Sequence, residues 1–228
     1  MVTVNCYGRH MYTTVDHQVT EGPATAAPLT DAVGDGRRRR RDQNRHAVVE
    51  ALLGFYEAGD FEPGIPAVAS AAGLSPRSVF RYFDDLDDLV RAAIETQQTR
   101  LAPLWPLRLP DAFDDRVEAF VVHRLDLLAA MGPVGRLARI RSHDHDLVAA
   151  EVARVRVRLR GQVEDVFADQ FDRLDALQRG PTLLAADVAC SFEAVDLLQA
   201  TGSDLDEVRA AMICALTALL GPQRSQSR

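Results

Sequence analysis

Residues 64–83 read GIPAVASAAGLSPRSVFRYF, and this stretch decides the fold. Pro66 suits the first turn of a helix, where no backbone N–H is needed for an intrahelical bond. That helix is expected from about Ile65 to Ala72. Gly73 and Leu74 then turn the chain, with Gly73 supplying a left-handed conformation that other residues adopt only under strain. Ser75-Pro76 reads as the N-cap and first residue of a second helix, running through about Tyr82. Ala69 is the small residue needed where the two helices touch. Val68, Ala72, Leu74, Val79 and Tyr82 are the apolar positions that hold them together. This is the pattern of a helix-turn-helix. Its second helix projects Arg77, Ser78 and Arg81 outward, as entry into a DNA major groove requires.

Working outward, Arg37, Arg38, Arg39, Arg40 and Arg41 form an unbroken basic run ahead of a helical pattern opening at Asp42. Ala47, Val48, Ala51, Leu52, Phe55 and Tyr56 make its apolar stripe. The run reads either as a solvated tail or, directly before this motif, as an arm for phosphate or the minor groove. Net charge is −7, yet residues 37–83 carry eight arginines against five acids, and all 26 basic residues are arginine. A bulk-basic nucleic-acid coat is excluded; a local basic surface is not. Residues 1–36 have no sustained period and end in GDG, so they are expected to be a disordered tail.

Asp84 and Asp85 are expected to cap a fourth helix with Leu86, Leu89, Val90, Ala93, Ile94 and Leu101 on one face. Pro103, Pro106 and Pro110 mark a boundary, dividing residues 37–100 from a second domain at 101–228. Beyond it the text is helical. One stripe (Phe113, Val117, Phe120, Val121, Leu125, Leu128) ends at Gly132-Pro133, and a long segment follows to about Phe171, broken near Ser142. Gly180-Pro181 reads as a break, Leu183–Ala200 and Asp204–Leu220 as the last two helices, and Ser203 with Asp206 as a capping box. No strand-like alternation of useful length occurs, so the fold class is all-α. No apolar run reaches the ~18–20 residues of a membrane helix. Cys6, Cys190 and Cys214 are odd in number and lack CxxC spacing, which fits a reducing cytoplasm and argues against a zinc site.

At VASAAGLS (68–75) and VFRYF (79–83), together with the flanking helices, the chain resembles the TetR/AcrR family of transcriptional repressors over about residues 44–95. Further on the resemblance is one of architecture, with SFEAVDLLQATGSDLDEVRAAMICALTALL similar to the family's final helix pair. The resemblance implies a cytoplasmic homodimer on a palindromic double-stranded DNA operator, with a small-molecule effector in the C-terminal domain that weakens DNA binding. No cofactor and no membrane partner are expected. The resemblance carries DNA contact to Gly64, Ser75, Arg77, Ser78, Phe80, Arg81 and Tyr82. The chain departs from the family at three of its usual backbone contacts: Gly64 stands for a capping Thr, Phe80 for a Tyr, and Leu86 for a Lys, the last set among four aspartates. An activator of the same fold, or a helical carrier or enzyme with a degenerate helix-turn-helix, are the alternatives; a carrier predicts no shift of DNA from upstream of its own reading frame.

Other residues carry a functional and a plainer reading. Ser75 is a phosphate donor or a helix cap, and Tyr82 a phosphate contact or a packed ring. Trp105, Phe120, His123, Met131, Phe167, Cys190 and Phe192 line a ligand cavity or are ordinary core. Leu205, Val208, Ala211, Met212, Ala215, Ala218 and Leu219 form the expected dimer face of the last helix. The acids at 84–88 favour a helix dipole over a metal. His143 and His145 read as a solvated junction before metal or pH sensing. Arg154, Arg156, Arg158 and Arg160 read as a salt-bridged surface helix with Glu151 and Glu164 as partners. No catalytic constellation appears.

Overall fold

The computed structural model describes the backbone of residues 30–221 and side chains from residue 36 onward. All regular structure among the described residues is helical, so the fold is all-α. The helices are α1 (Thr30–Glu57), α2 (Ile65–Ala71), α3 (Pro76–Tyr82), α4 (Leu86–Leu101), α5 (Phe113–Arg141), α6 (Asp146–Val166), α7 (Ala168–Phe171), α8 (Ala176–Ala189), α9 (Phe192–Ala200) and α10 (Leu205–Leu220). The described residues divide into two units at Arg38/Arg39. The described part of the first is the opening of α1. Residues 1–29 of the expected tail lie outside the described residues. Residues 30–36 correct the expectation, because they are helical. Gly34 and Gly36 cost about 1 kcal/mol each in a helix interior, and the arginines that follow are good helix formers.

Within residues 39–228 there are two hydrophobic clusters. One joins Val48, Val49, Leu52 and Leu53 of α1 to Val68, Ala69, Val79, Tyr82, Phe83, Leu89 and Ala93. Its α1 face adds Val49 and Leu53 to Val48 and Leu52 of the expected stripe, while Ala51, Phe55 and Tyr56 pack partly against it. The other is built on α5, with Val117, Phe120, Val121, Leu127 and Leu128 packed against Leu159, Val163, Phe167, Phe171, Val208, Met212 and Leu216. Helix α10 lies against both α5 and α8.

The expected break at Gly132-Pro133 is present: Gly132, at φ 44°, ψ −140°, separates two helical stretches of α5 that meet at a kink. Other expected boundaries shift. Gly180-Pro181 is no break. Both lie inside α8, which starts earlier because Asp175 accepts from the Leu177 and Gln178 N–H groups. Cys190-Ser191 is the real break, with the Ser191 hydroxyl capping α9. The last capping box is one residue further on than expected, between Asp204 and Glu207. Of the α6 arginines, Arg154 pairs with Glu151 on its own helix, as expected, while Arg156 pairs with Glu193 and Arg160 with Asp187 on other helices, and Glu164 pairs with Arg179 of α8. Arg158 stacks over Trp105 at 3.8 Å.

Arg124 is the largest fully buried side chain. It sits in the α5 apolar stripe and donates to the carbonyls of Leu159 and Cys190 and to Gln162 Oε1, with its guanidinium over the Phe120 ring. Burial pushes its pKa down from the usual arginine value. The neighbouring Cys190 thiol is pushed up to about 11 by the same desolvation, so it is an inert core group at neutral pH.

Candidate functional site

Helix α2 ends in a Schellman closure: Gly73 N–H donates to the Ser70 carbonyl at 3.0 Å and Leu74 N–H to the Ala69 carbonyl at 2.9 Å. Gly73 adopts φ 68° there, which explains glycine at that position. Val68, Ala69, Val79 and Tyr82 are buried between the helices, and Ala72 and Leu74 pack partly against them. Ser75 opens α3; its hydroxyl accepts from the Ser78 N–H and lies 2.9 Å from the Ser78 hydroxyl. The capping reading of Ser75 is therefore realised, and its lone pairs still reach the surface.

Arg77, Phe80 and Arg81 share the outward face of α3, one turn apart, and all three are exposed. Phe80 is 66% exposed. Tyr82 is placed otherwise. Its ring is buried, and its hydroxyl accepts from Asn44 Nδ2 and Arg81 Nη2, each at 2.8 Å. Those two donors hold the phenol below its ordinary pKa. Of its two readings, the structure realises the packed ring. Gly64 is the N-cap of α2, with extended backbone and no side-chain cap. Arg37–Arg41 are exposed residues of α1. They form part of a helix, which corrects the expectation of an arm outside one.

The α3–α4 junction is held by Arg45 of α1, which no sequence signal singles out because its partners lie far along the chain. Its guanidinium donates to the Tyr82 carbonyl at 2.9 Å and to both Asp88 oxygens at 3.1 and 2.8 Å. It also lies over the Phe83 ring at 4.5 Å. The Arg45 hydrogen bond holds the Asp88 carboxyl below the usual carboxylate range. Asp85 caps α4 by accepting from the Asp88 N–H at 2.7 Å. The acidic run at 84–88 is thus a cap and an anchor. Leu86 lies on the same side of α4 as Leu89, Val90 and Ala93 but is 63% exposed, because the first residue of the helix sits at the edge of the packed face. His145, at the start of α6, faces Asp87 at 3.4 Å. Among the described residues no group of three or more His, Cys, Asp or Glu is placed to hold a metal, and no helix is long and apolar enough to cross a membrane.

A cavity of about 260 Å³ lies between α1, α4, α5 and α6, with Tyr56, Ile94, Trp105, Met131 and Val152 among its mainly apolar walls. Of the seven residues expected to border a ligand, only Trp105 and Met131 line it. Phe120, Phe167 and Cys190 are fully buried in the α5 cluster. Phe192 borders a separate, smaller hollow with Leu128, Val195 and Leu205. His123 Nε2 is buried without a partner, and burial lowers its pKa, but it is not in either lining. Helical period alone cannot distinguish a wall facing a cavity from one facing another helix.

On α10 the expected dimer face splits. Val208 and Met212 point into the chain's own core, and Ala215 and Leu219 are half-buried. Leu205, Ala211 and Ala218 are exposed. Helix α8 presents a row that the sequence reading missed: Leu177 is 85% exposed, Leu184 52% and Val188 65%. Their i, i+7, i+11 spacing was the available signal, obscured by reading Gly180-Pro181 as a break.

No family model matches the chain, and no curated protein does. Among solved structures, a Rhodococcus sp. protein described as a TetR-family transcriptional regulator superposes with a TM-score of 0.55 at 14% identity, over 78% of this chain and 99% of that one. That likeness is one of fold. Together with the helix-turn-helix geometry, it gives the conclusion that this chain has the TetR-family regulator fold.

Proposed function

We propose that the protein is a homodimeric transcriptional repressor that binds a two-fold symmetric DNA operator and is released by a small-molecule effector. The observation that carries this reading is the outward face of α3. Arg77 sits in its first turn, where base edges are read, and an arginine fork there matches a guanine edge. Phe80 offers an apolar contact for a thymine methyl group. Arg81 follows one turn on, with the Ser75 and Ser78 hydroxyls available to phosphate. The basic run at Arg37–Arg41 adds charge that neutralises phosphate. The acids at 84–88 and the absent hydroxyl at Gly64 reduce backbone contact, so affinity leans on these arginines.

Dimerisation is assigned to the exposed row of α8 (Leu177, Leu184, Val188) with the outer side of α10 (Ala211, Cys214, Ala218). Two such helices from each chain make a four-helix interface, and an unpartnered apolar row of this length marks an association surface. The effector occupies the cavity between α1, α4, α5 and α6. It acts by favouring a state whose two recognition helices no longer match half-sites about 34–36 Å apart. The test is retardation of the DNA upstream of the protein's own reading frame at low salt. Binding is expected for the wild type and a loss of at least tenfold for Arg77→Ala/Arg81→Ala. Absence of any shift, with a folded protein, overturns the proposal in favour of a helical carrier.

A further inference from the structure

Charge is unevenly placed around the cavity. Its lining carries three guanidiniums, Arg139, Arg141 and Arg154, against one carboxylate, Glu151. Two of the three are neutralised where they stand. Arg154 donates to Glu151, as does Gln98. Arg139 donates to Glu193 and to the Gly135 carbonyl while lying 3.8 Å over the Phe192 ring. Arg141 is held more loosely. Its partners are Glu62 at 3.1 Å and Asp144 at 3.6 Å, whose side chains are 82% and 64% exposed and lie outside the lining. Ion pairs so exposed contribute little, so a carboxylate reaching Arg141 from inside the cavity can displace them. Tyr56 of α1 lines the same cavity, and among the described residues its hydroxyl has no hydrogen-bond partner. Burial pushes its phenol up from the ordinary value, and the charge of nearby Arg141 only partly offsets that. The hydroxyl is therefore a protonated donor close to a cation. His145, across the α5–α6 turn from Arg141, lines this end as well and is turned toward Asp87.

We infer that the cavity binds an amphiphilic carboxylate of about ten non-hydrogen atoms, its head on Arg141 and the Tyr56 hydroxyl and its aliphatic tail running toward Trp105. The α6 wall extends from His145 to Val155, about 15 Å of helix at 1.5 Å per residue. Trp105 marks the far end, where Arg158 of α6 stacks on it and Gln162 donates to its carbonyl. Between the ends the walls are mainly aliphatic, with Val90, Ile94, Val148 and Val152 among them. The size follows by proportion from an apolar cavity of about 150 Å³ that accommodates benzene, against 260 Å³ here. This rests on the effector reading proposed above and names its ligand class. It also gives the ligand a route to the DNA-reading unit. A carboxylate on Arg141 takes that guanidinium from Glu62, which stands two residues before Gly64, the N-cap of α2.

Trp105, the chain's single tryptophan, lines the cavity, and its emission reports occupancy. The experiment titrates the full-length protein at neutral pH with octanoate, octan-1-ol and octylammonium, which share one tail and differ in the charge of the head. Wild type is compared with Arg141→Gln, Tyr56→Phe and Glu62→Gln. Octanoate is expected to bind the wild type about tenfold more tightly than octan-1-ol, with octylammonium weakest. Arg141→Gln should weaken octanoate about tenfold, the worth of a charge-assisted hydrogen bond, and leave octan-1-ol unchanged. Tyr56→Phe should weaken octanoate about fivefold, and Glu62→Gln, which removes the competing carboxylate, should tighten it. Octan-1-ol or octylammonium binding as tightly as octanoate overturns the inference, as does an absence of octanoate binding to the wild type. An octanoate affinity unchanged in a folded Arg141→Gln overturns it too; should that variant unfold, an affinity unchanged in both Tyr56→Phe and Glu62→Gln does so. The titration contains no DNA. Operator binding by the ligand-free protein is measured separately, so a failure here leaves the regulator reading to its own test.

Discussion

Replacing Arg45 by methionine removes the clamp between α1 and the end of the recognition helix while keeping most of the apolar stem. Arg45 makes three hydrogen bonds, at 2.9, 3.1 and 2.8 Å, and a stacking contact at 4.5 Å with Phe83. Its side chain is 35% exposed, so full buried-pair values do not apply. A bidentate ion pair at this exposure contributes about 0.5–1 kcal/mol, the stacked cation about 0.5–1, and the carbonyl bond about 0.5–1. The expected loss is about 2 kcal/mol. At about 2–4 °C per kcal/mol for a chain of this size, the melting temperature should fall by about 4–8 °C. The pH dependence has a definite sign. Asp88 is held below its ordinary pKa by Arg45, so the pair's stabilisation is complete above about pH 4 and is lost as pH falls through the lowered value. Thermal unfolding followed by circular dichroism should show a full wild-type-to-variant gap at pH 7 that narrows in acid. DNA affinity should fall too, because the Tyr82 carbonyl at the end of α3 loses its donor. A variant that melts within a degree of the wild type at pH 7, or a gap that does not narrow in acid, refutes the clamp.

Leu184→Glu on α8 should convert the proposed dimer to monomers on sedimentation, because a charge in the middle of an apolar interface cannot be paired; a variant dimer as stable as the wild type would place the interface elsewhere. Leu86→Lys should cost little stability, since Leu86 is 63% exposed. It should steepen the salt dependence of DNA binding, log K against log[salt], by about 0.9 for one new phosphate contact, leaving sequence preference unchanged. Gly64→Thr has room, as the nearest atom to an added Cβ is Pro66 Cδ at 3.6 Å. It should add a few tenths of a kcal/mol through the new cap and tighten DNA binding, measured by anisotropy and melting together.

The helix-turn-helix was legible because its signals are local. Gly73 carries a backbone requirement, and Ser75-Pro76 fixes a helix start within two residues. The same holds for the Asp85 cap. What the sequence hid depends on which faces of helices meet. Val208 and Met212 belong to a broad apolar face of α10, and only the packing of α5 and α8 decides which half of that face turns inward. Leu86 is apolar yet exposed, since it is the first residue of α4 and sits at the edge of the packed face. Arg124 stood in the Phe120–Leu128 stripe, a position where an arginine is noticeable, but nothing local shows that carbonyls wait there to accept from it. Arg45 is one arginine in a basic segment, and its partners lie 37 and 43 residues away. The cavity is a property of four helices at once, so only Trp105 and Met131 of the expected residues border it.

The most direct test of the central claim is selection of bound sequences from a pool of random DNA duplexes by the purified full-length protein. The account predicts a two-fold symmetric motif with half-site centres about 10–10.5 base pairs, or a multiple of that, apart. It also predicts that Arg77→Ala relaxes one symmetric pair of positions, at a cost of about 1–3 kcal/mol on the selected site. A pool that emerges with no enriched motif, or a motif that Arg77→Ala leaves unchanged, contradicts the claim that α3 reads DNA.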